Sequence, residues 1–227
     1  MMLTALTQIG IVVTWLGLVG GAAEGVRRLT SANPEITRKI VHIGAGQAIL
    51  LAWWLQTPAW MGITASVLFS LVALLSYRYP ILPGINGVGR HSLGTFFYAL
   101  SIGLLTATFW PLGQPQYAVL GILVMTWGDG FAALVGQRFG RHPYRVLGSQ
   151  KSWEGSLTML VISFIVSLLI LGLTVGFTVP VPGIAALVAL AATLLETLSF
   201  YGLDNLTVPL GSAVLAYGLM SLFSPVS

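Results

Sequence analysis

The apolar runs of this chain are long enough to cross a membrane, and all ten Lys or Arg and all six Asp or Glu can be placed on one side of it. Eight runs read as spanning helices, near 5–23, 40–55, 60–77, 93–110, 116–138, 156–177, 183–202 and 205–222. Most lie close to the roughly 20 residues that a bilayer core requires. The count is about eight, with seven as the alternative. The connections near 24–39, 78–92 and 139–155 hold nearly all of Arg27, Arg28, Arg38, Lys39, Arg78, Arg90, Arg138, Arg141, Arg145 and Lys151, and the remainder lie at adjoining helix ends. Those near 56–59, 111–115 and 178–182 hold no charge. Cytoplasmic loops retain Lys and Arg, so the charged face is expected to be cytoplasmic and both termini to lie on the other side.

Composition narrows the class further. With 56% apolar residues, 7% charged residues and a mean hydropathy of +0.90, there is too little polarity to cover a soluble globule. The expectation is an all-α integral membrane protein forming one domain over 1–227. The first run is followed by Glu24 and a basic loop rather than a small-residue cleavage site, and reads as a first span rather than a removable signal. With no Cys, disulfides, thiol catalysis and cysteine metal ligands are excluded. A net charge of +4, gathered on one side, suits anionic headgroups or a phosphate-bearing substrate. The basic residues are scattered over short loops without an aromatic platform, so nucleic acid is not an expected partner.

Helix starts are legible in places. Asn33-Pro34-Glu35 offers a cap, a first-turn proline and a first-turn acid ahead of the second span. Arg38 and His42 share the next helical face, with Glu35 and Lys39 expected to pair four residues apart. These residues serve either as headgroup-level anchors or as phosphate ligands. The segment 80–92 is rich in Gly and Pro, but no strand precedes its glycines and no dinucleotide-binding unit follows.

Chemistry enters with the fifth span, Trp127-Gly128-Asp129-Gly130-Phe131-Ala132-Ala133-Leu134-Val135-Gly136-Gln137-Arg138-Phe139-Gly140. Asp129, Ala132, Gly136 and Gly140 fall on one helical stripe, an acid followed by very small side chains. Small residues admit a neighbouring helix or a ligand phosphate close to the backbone. They do not explain Asp129, because an unpaired carboxylate at membrane depth costs several kcal/mol. Beyond Arg138, Arg141, His142 and Arg145, the run Gly148-Ser149-Gln150-Lys151-Ser152-Trp153-Glu154-Gly155-Ser156 offers backbone donors, a lysine and a helix start to a phosphate. Glu154 there would repel that phosphate unless a divalent cation lay between, although Ser152 as a cap and Glu154 as a first-turn acid are the plainer alternative. A third group, Glu196 in an apolar run and Asp204-Asn205 at a turn, brings four of the six acids toward one membrane boundary.

At these residues the chain resembles the membrane-bound CTP-dependent polyprenol kinases, in particular the phytol and farnesol kinase branch beside dolichol kinase. The resemblance rests on Asp129-x-x-Ala132-x-x-x-Gly136-x-x-x-Gly140, on Lys151-Ser152-x-Glu154-Gly155, and on Glu196 with Leu203-Asp204-Asn205-Leu206-Thr207-Val208-Pro209. Arg38-Lys39-x-x-His42 and Gly94-Thr95-x-x-Tyr98 are weaker upstream matches, and the whole covers about 35–215. It implies transfer of the terminal phosphate of CTP, or UTP, to an isoprenoid alcohol such as phytol, farnesol or geranylgeraniol, with Mg²⁺. Asp129, Lys151, Glu196 and Asp204 are then the expected catalytic residues, and Asp129 and Glu154 the metal ligands. Gly130, Ala132, Gly136, Gly140, Lys151, Ser152, Gly155, Asn205, Arg38, Lys39 and His42 are the expected nucleotide or phosphate contacts. Either Glu196 or Asp204 would orient or deprotonate the attacking hydroxyl. Phytyl phosphate would feed tocopherol or phylloquinone synthesis, in a bacterial plasma membrane or a thylakoid membrane with the site facing the cytoplasm. A CTP-dependent cytidylyltransferase acting on a lipid phosphate is the alternative, and a small ion-coupled transporter using Asp129 and Glu196 comes third.

Overall fold

The computed structural model describes residues 4–30, 34–79 and 92–223. The expected cap at Asn33 and nearly all of the 80–92 segment lie outside the described residues. Among the described residues, six helices are long and apolar enough to cross a membrane: α1 (Ala5–Leu29), α4 (Ala59–Arg78), the continuous Pro115–Phe139 span, α8 (Trp153–Val175), α9 (Pro180–Thr197) and α10 (Asp204–Phe223). The expected span near 40–55 is built from two pieces, α2 (Pro34–Gly46) and α3 (Ala48–Trp54), and the one near 93–110 is the shorter α5 (Gly94–Phe109). The chain is an all-α membrane protein.

Two glycines precede the break between α2 and α3. A Cβ at Gly46 would come within 2.5 Å of Thr126, and one at Gly44 within 2.5 Å of Val19, so both positions press backbone against neighbouring helices. The Pro115–Phe139 span divides into α6 (Pro115–Leu123), a π-helical stretch Val124–Asp129 and α7 (Gly130–Phe139). It is the central post, with Ala118, Val119, Leu120, Ile122, Val124 and Met125 fully buried. α5, α8 and α10 pack around it. Gly121 lets α10 approach so closely that a Cβ would sit 2.3 Å from the Pro209 carbonyl oxygen. α4 packs on α5 in the same way, with Gly103 opposite Ser66, whose hydroxyl donates to the Ala99 carbonyl at 2.6 Å. α1 stands at the margin and touches mainly α2 and α3.

One feature departs from the expected loop at 139–155. Residues β1 (Pro143–Val146) and β2 (Ser149–Ser152) form an antiparallel hairpin pairing Pro143 with Ser152 and Val146 with Ser149. Leu147 (φ 48) and Gly148 (φ 80) close it, as a two-residue turn with positive φ at both positions demands. The penultimate helix also ends earlier than its apolar run suggests. Thr197 is its last residue, and the chain turns through Tyr201 (φ 52) and Gly202 (φ 82) before α10 begins. That turn rests on the start of α5, where Gly202 lies so near Gly94 that a Cβ would meet its backbone nitrogen at 2.6 Å.

Candidate active site

A cavity of about 1040 Å³ opens at the charged end of the bundle. α2, α5, α7, the hairpin, α8, α9 and the 198–203 turn all contribute to its wall. Three helices present their N-termini to it, through Gly94 and Thr95 of α5, Gly155 of α8, and Asp204 and Asn205 of α10. Unpaired N–H groups at such ends favour anions.

Asp129 ends the π-helical stretch, a rare geometry that recurs at functional sites. Lys39 of α2 donates to its Oδ2 at 2.6 Å, and His42 Nε2 lies 3.7 Å from the same oxygen. The Lys39 side chain is 3% exposed and that of Asp129 14%, so each charge is matched where hydration is scarce. This corrects the expected Glu35–Lys39 pair: Glu35 takes a two-pronged contact from Arg38, with Nε at 2.9 Å from Oε2. Glu35 and Asp129 are about equally buried, and because Arg38 already matches Glu35, Lys39 is left to Asp129. His42 is stacked on Tyr98 with ring centroids 5.0 Å apart. It sits behind Asp129 and does not line the cavity.

Across the cavity, Lys151 at the end of β2 reaches the last turn of α9, where its Nζ donates to both the carboxylate and the backbone carbonyl of Glu196. Tyr144 of β1 anchors the hairpin from the other strand, its hydroxyl 2.5 Å from Ser156 Oγ and its ring 5.3 Å from that of Trp153. The hairpin is thereby tied to α8 and α9 at once.

The small-residue stripe joins α7 to the start of α8. A Cβ at Gly136 would lie 3.0 Å from Ser152 Oγ, and one at Gly155 3.1 Å from the Ala132 carbonyl oxygen. Ser152 caps α8 by accepting from the Gly155 N–H at 3.1 Å. Ala132, Gly136, Gly140, Ser152 and Gly155 still line the cavity, so the stripe both packs helices and leaves backbone open to a ligand. Gly130 instead faces Ile43, where a Cβ would be 2.6 Å away.

Asp204 opens α10. Its N–H donates to Ser199 Oγ at 2.7 Å, and Asn205 Nδ2 donates to its Oδ1 and to the Gly202 carbonyl, each at 3.2 Å. Glu154 is turned elsewhere. Its carboxylate accepts from the Arg141 N–H at 3.1 Å and meets His142 Nδ1 at 2.7 Å, fastening the Gly140–His142 corner to the first turn of α8. It does not line the cavity, so the structure does not bring it to Asp129. Arg38, Lys39, Asp129, Lys151, Glu196, Asp204 and Asn205 all do line it.

Glu35, Gln137, Gln150, Ser199, Phe200 and Tyr201 join the wall without having been singled out in the sequence for this site. Only the hairpin could have revealed Gln150, and Leu147-Gly148 is a weak turn signal beside Asn-Gly. Among the described residues no three His, Asp or Glu side chains converge into a protein-only metal centre. A hard cation held by one or two carboxylates together with phosphate oxygens is still compatible with the cavity's oxygen donors.

No family model matches the chain, and no solved structure matches it. Among curated proteins, the phytol kinase of Synechocystis sp. is 57% identical over 209 residues, covering 92% of this chain and 90% of its own. The probable chloroplastic phytol kinase 1 of Oryza sativa subsp. japonica is 30% identical, covering 87% of this chain and 68% of its own. The chloroplastic farnesol kinase of Arabidopsis thaliana is 29% identical, with 82% and 66% covered. Identity of this extent, over nearly the full length of both chains in the first case, is that of one family: the chain belongs to the phytol kinases.

Proposed function

We propose that the protein is a membrane-bound alcohol kinase that transfers the terminal phosphate of CTP, or UTP, to an isoprenoid alcohol, with phytol the expected acceptor. The observation that carries this reading is one polar cavity at the charged end of an apolar bundle, with Arg38, Lys39 and Lys151 in its wall. Relatives named phytol kinase and farnesol kinase support the reaction class and the prenol acceptor. About 1040 Å³ accommodates a nucleotide with the head of an alcohol, while the tail remains among the helices or in the bilayer.

In this reading the polyphosphate lies against Lys39, Lys151 and the N-termini of α5 and α8, where positive charge and backbone donors coincide. Gly136 and Gly155 offer bare backbone on the same side. Asp129 is the carboxylate placed to share Mg²⁺ with phosphate oxygens, and Asn205 is a neutral donor nearby. When bound, Mg²⁺ would supply charge neutralisation for the transferring group. Lys39 holds the Asp129 carboxylate in one orientation, with His42 Nε2 3.7 Å away. Catalysis then consists mainly of positioning and charge compensation. The acceptor hydroxyl is activated by one of the remaining carboxylates, Glu196 or Asp204. Positive-inside asymmetry supports a cavity that faces the cytoplasm.

The test is product identity. Purified protein in detergent, given Mg²⁺, CTP labelled on its terminal phosphate, and phytol, geranylgeraniol, farnesol or phosphatidate, is expected to label a prenol and release CDP. Pyrophosphate release without labelled prenol would overturn the reading in favour of cytidylyl transfer.

A further inference from the structure

We infer that Asp204 is the catalytic residue that takes the proton of the acceptor hydroxyl, and that the alcohol enters beside Phe200 and Tyr201. The inference rests on the alcohol-kinase reading above and decides between its two remaining carboxylates.

Four carboxylates line the cavity, and three are each matched to a cation. Glu35 meets Arg38, Asp129 meets Lys39, and Glu196 meets Lys151. Asp204 has no such partner among the described residues. Neutral groups hold it, with Asn205 Nδ2 donating to Oδ1 at 3.2 Å and the Ser199 hydroxyl beside it. A hydroxyl approaching Glu196 would have to share a carboxylate whose charge is already taken up by Lys151 at Oε1. At Asp204 it displaces nothing charged. The Asn205 contact also orients the carboxylate in advance, so little rotamer freedom is lost when substrate arrives.

The surroundings match an alcohol with a long apolar tail. Asp204 follows directly on the turn that carries Phe200 and Tyr201, which line the cavity while remaining 48% and 71% exposed. Their rings lie edge to face with centroids 5.9 Å apart, forming an aromatic lip. Beside the lip, where Gly202 packs on Gly94, the wall is small and polar, made of Ser92, Gly94 and Thr95. Within five consecutive residues the chain therefore offers an apolar surface for a tail and a carboxylate for its hydroxyl.

In the step, the alcohol O–H bond breaks and its proton passes to the Asp204 carboxylate. The alcohol oxygen forms a bond to the terminal phosphorus of CTP as the bond from that phosphorus to the bridging oxygen breaks. CDP leaves with the electron pair, and Asp204 releases the proton to solvent once the site opens.

Steady-state kinetics on the full chain in detergent, with labelled CTP, phytol and Mg²⁺, test this. Asp204→Asn is expected to lower kcat by about 100-fold or more, the scale of a lost general base, with CTP KM and half-saturating Mg²⁺ within about threefold. Glu196→Gln is expected to act mainly on CTP KM, with kcat within about tenfold, because it weakens the Lys151 tether of the hairpin rather than the contacts of the acceptor. Should Asp204→Asn fail to fold, Asp204→Glu, which displaces the carboxylate by one methylene, is expected to lower kcat with the thermal midpoint unchanged. Retention of more than about a tenth of kcat in Asp204→Asn would overturn the inference. So would a rise in its Mg²⁺ requirement, which would make Asp204 a metal ligand, or a larger kcat loss in Glu196→Gln. Absence of labelled prenol from the unaltered protein would instead overturn the alcohol-kinase reading itself.

Discussion

Lys39 and Asp129 are 90 residues apart in the chain and 2.6 Å apart in the fold, joining α2 to the end of the π-helical stretch. Removing one partner of such a pair strands the other charge where water is scarce. Lys39→Met is therefore expected to destabilise the protein by about 3–5 kcal/mol as well as to abolish transfer. Asp129→Asn abolishes transfer too, but the double variant Lys39→Met/Asp129→Asn is expected to melt above Lys39→Met alone. Thermal denaturation of the three in detergent gives the coupling directly, and strict additivity would remove the pair from its structural role.

Gly140 makes a second, steric prediction. A Cβ there would sit 2.2 Å from the Gly136 carbonyl oxygen and 2.9 Å from Ser152 Oγ. Gly140→Ala must shift the end of α7 against both its own preceding turn and the cap of α8, at a cost of about 1–3 kcal/mol. Gly183 in α9 has nothing within 4 Å of a Cβ. Gly183→Ala is accordingly expected to be neutral or to stabilise by up to about 1 kcal/mol. Gly140→Ala should lower the thermal midpoint and Gly183→Ala should not, and a comparable loss in both would refute the packing argument.

The contrast between these glycines explains how far the sequence could be read. Spacing alone identified the stripe Asp129, Ala132, Gly136 and Gly140, because a helical period is local and the small residues share one face. The side that each residue meets is set by the tertiary fold. Gly136 and Gly140 meet Ser152, whereas Gly130 next to Asp129 meets Ile43 and lies off the cavity. The same limit separates Glu154 from Asp129. An acid next to a phosphate-type loop implies a cation in sequence, but the hairpin carries the chain back so that Arg141 and His142 satisfy Glu154 first. Seven of the charged residues that the sequence gathers into short connections or helix ends line one cavity, since membrane burial leaves charged side chains few other places. The sequence could not show that Lys39 would meet Asp129 rather than Glu35, because that contact joins residues 90 positions apart in the chain.

Glu154 yields the third prediction. With its carboxylate committed to the Gly140–His142 corner, Glu154→Gln is expected to leave half-saturating Mg²⁺ within about twofold. Loss of a ligand or its close support typically costs about 10–100-fold in metal affinity. A Mg²⁺ titration of initial rates separates the two, and a tenfold shift would return Glu154 to the metal.

Lys151 joins the hairpin to α9 through Glu196, yet the same ammonium faces the cavity where a polyphosphate is proposed to lie. Both roles predict damage on truncation, but they differ in kind. If Lys151 only tethers the hairpin, neither Lys151→Met, which removes both contacts to Glu196, nor Glu196→Gln, which weakens one of them, should shift CTP KM far from the other. If it also binds phosphate, Lys151→Met loses a charge that the nucleotide needs, whereas Glu196→Gln keeps that charge and removes its competitor. The expectation is a CTP KM raised about tenfold or more in Lys151→Met, equivalent to about 1.4 kcal/mol, and a smaller rise in Glu196→Gln. Lys151→Arg should recover only part of the loss, since a planar guanidinium does not replace a compact ammonium donating to two oxygens of one residue. Equal KM values for the Met and Gln variants would leave Lys151 with the tether alone.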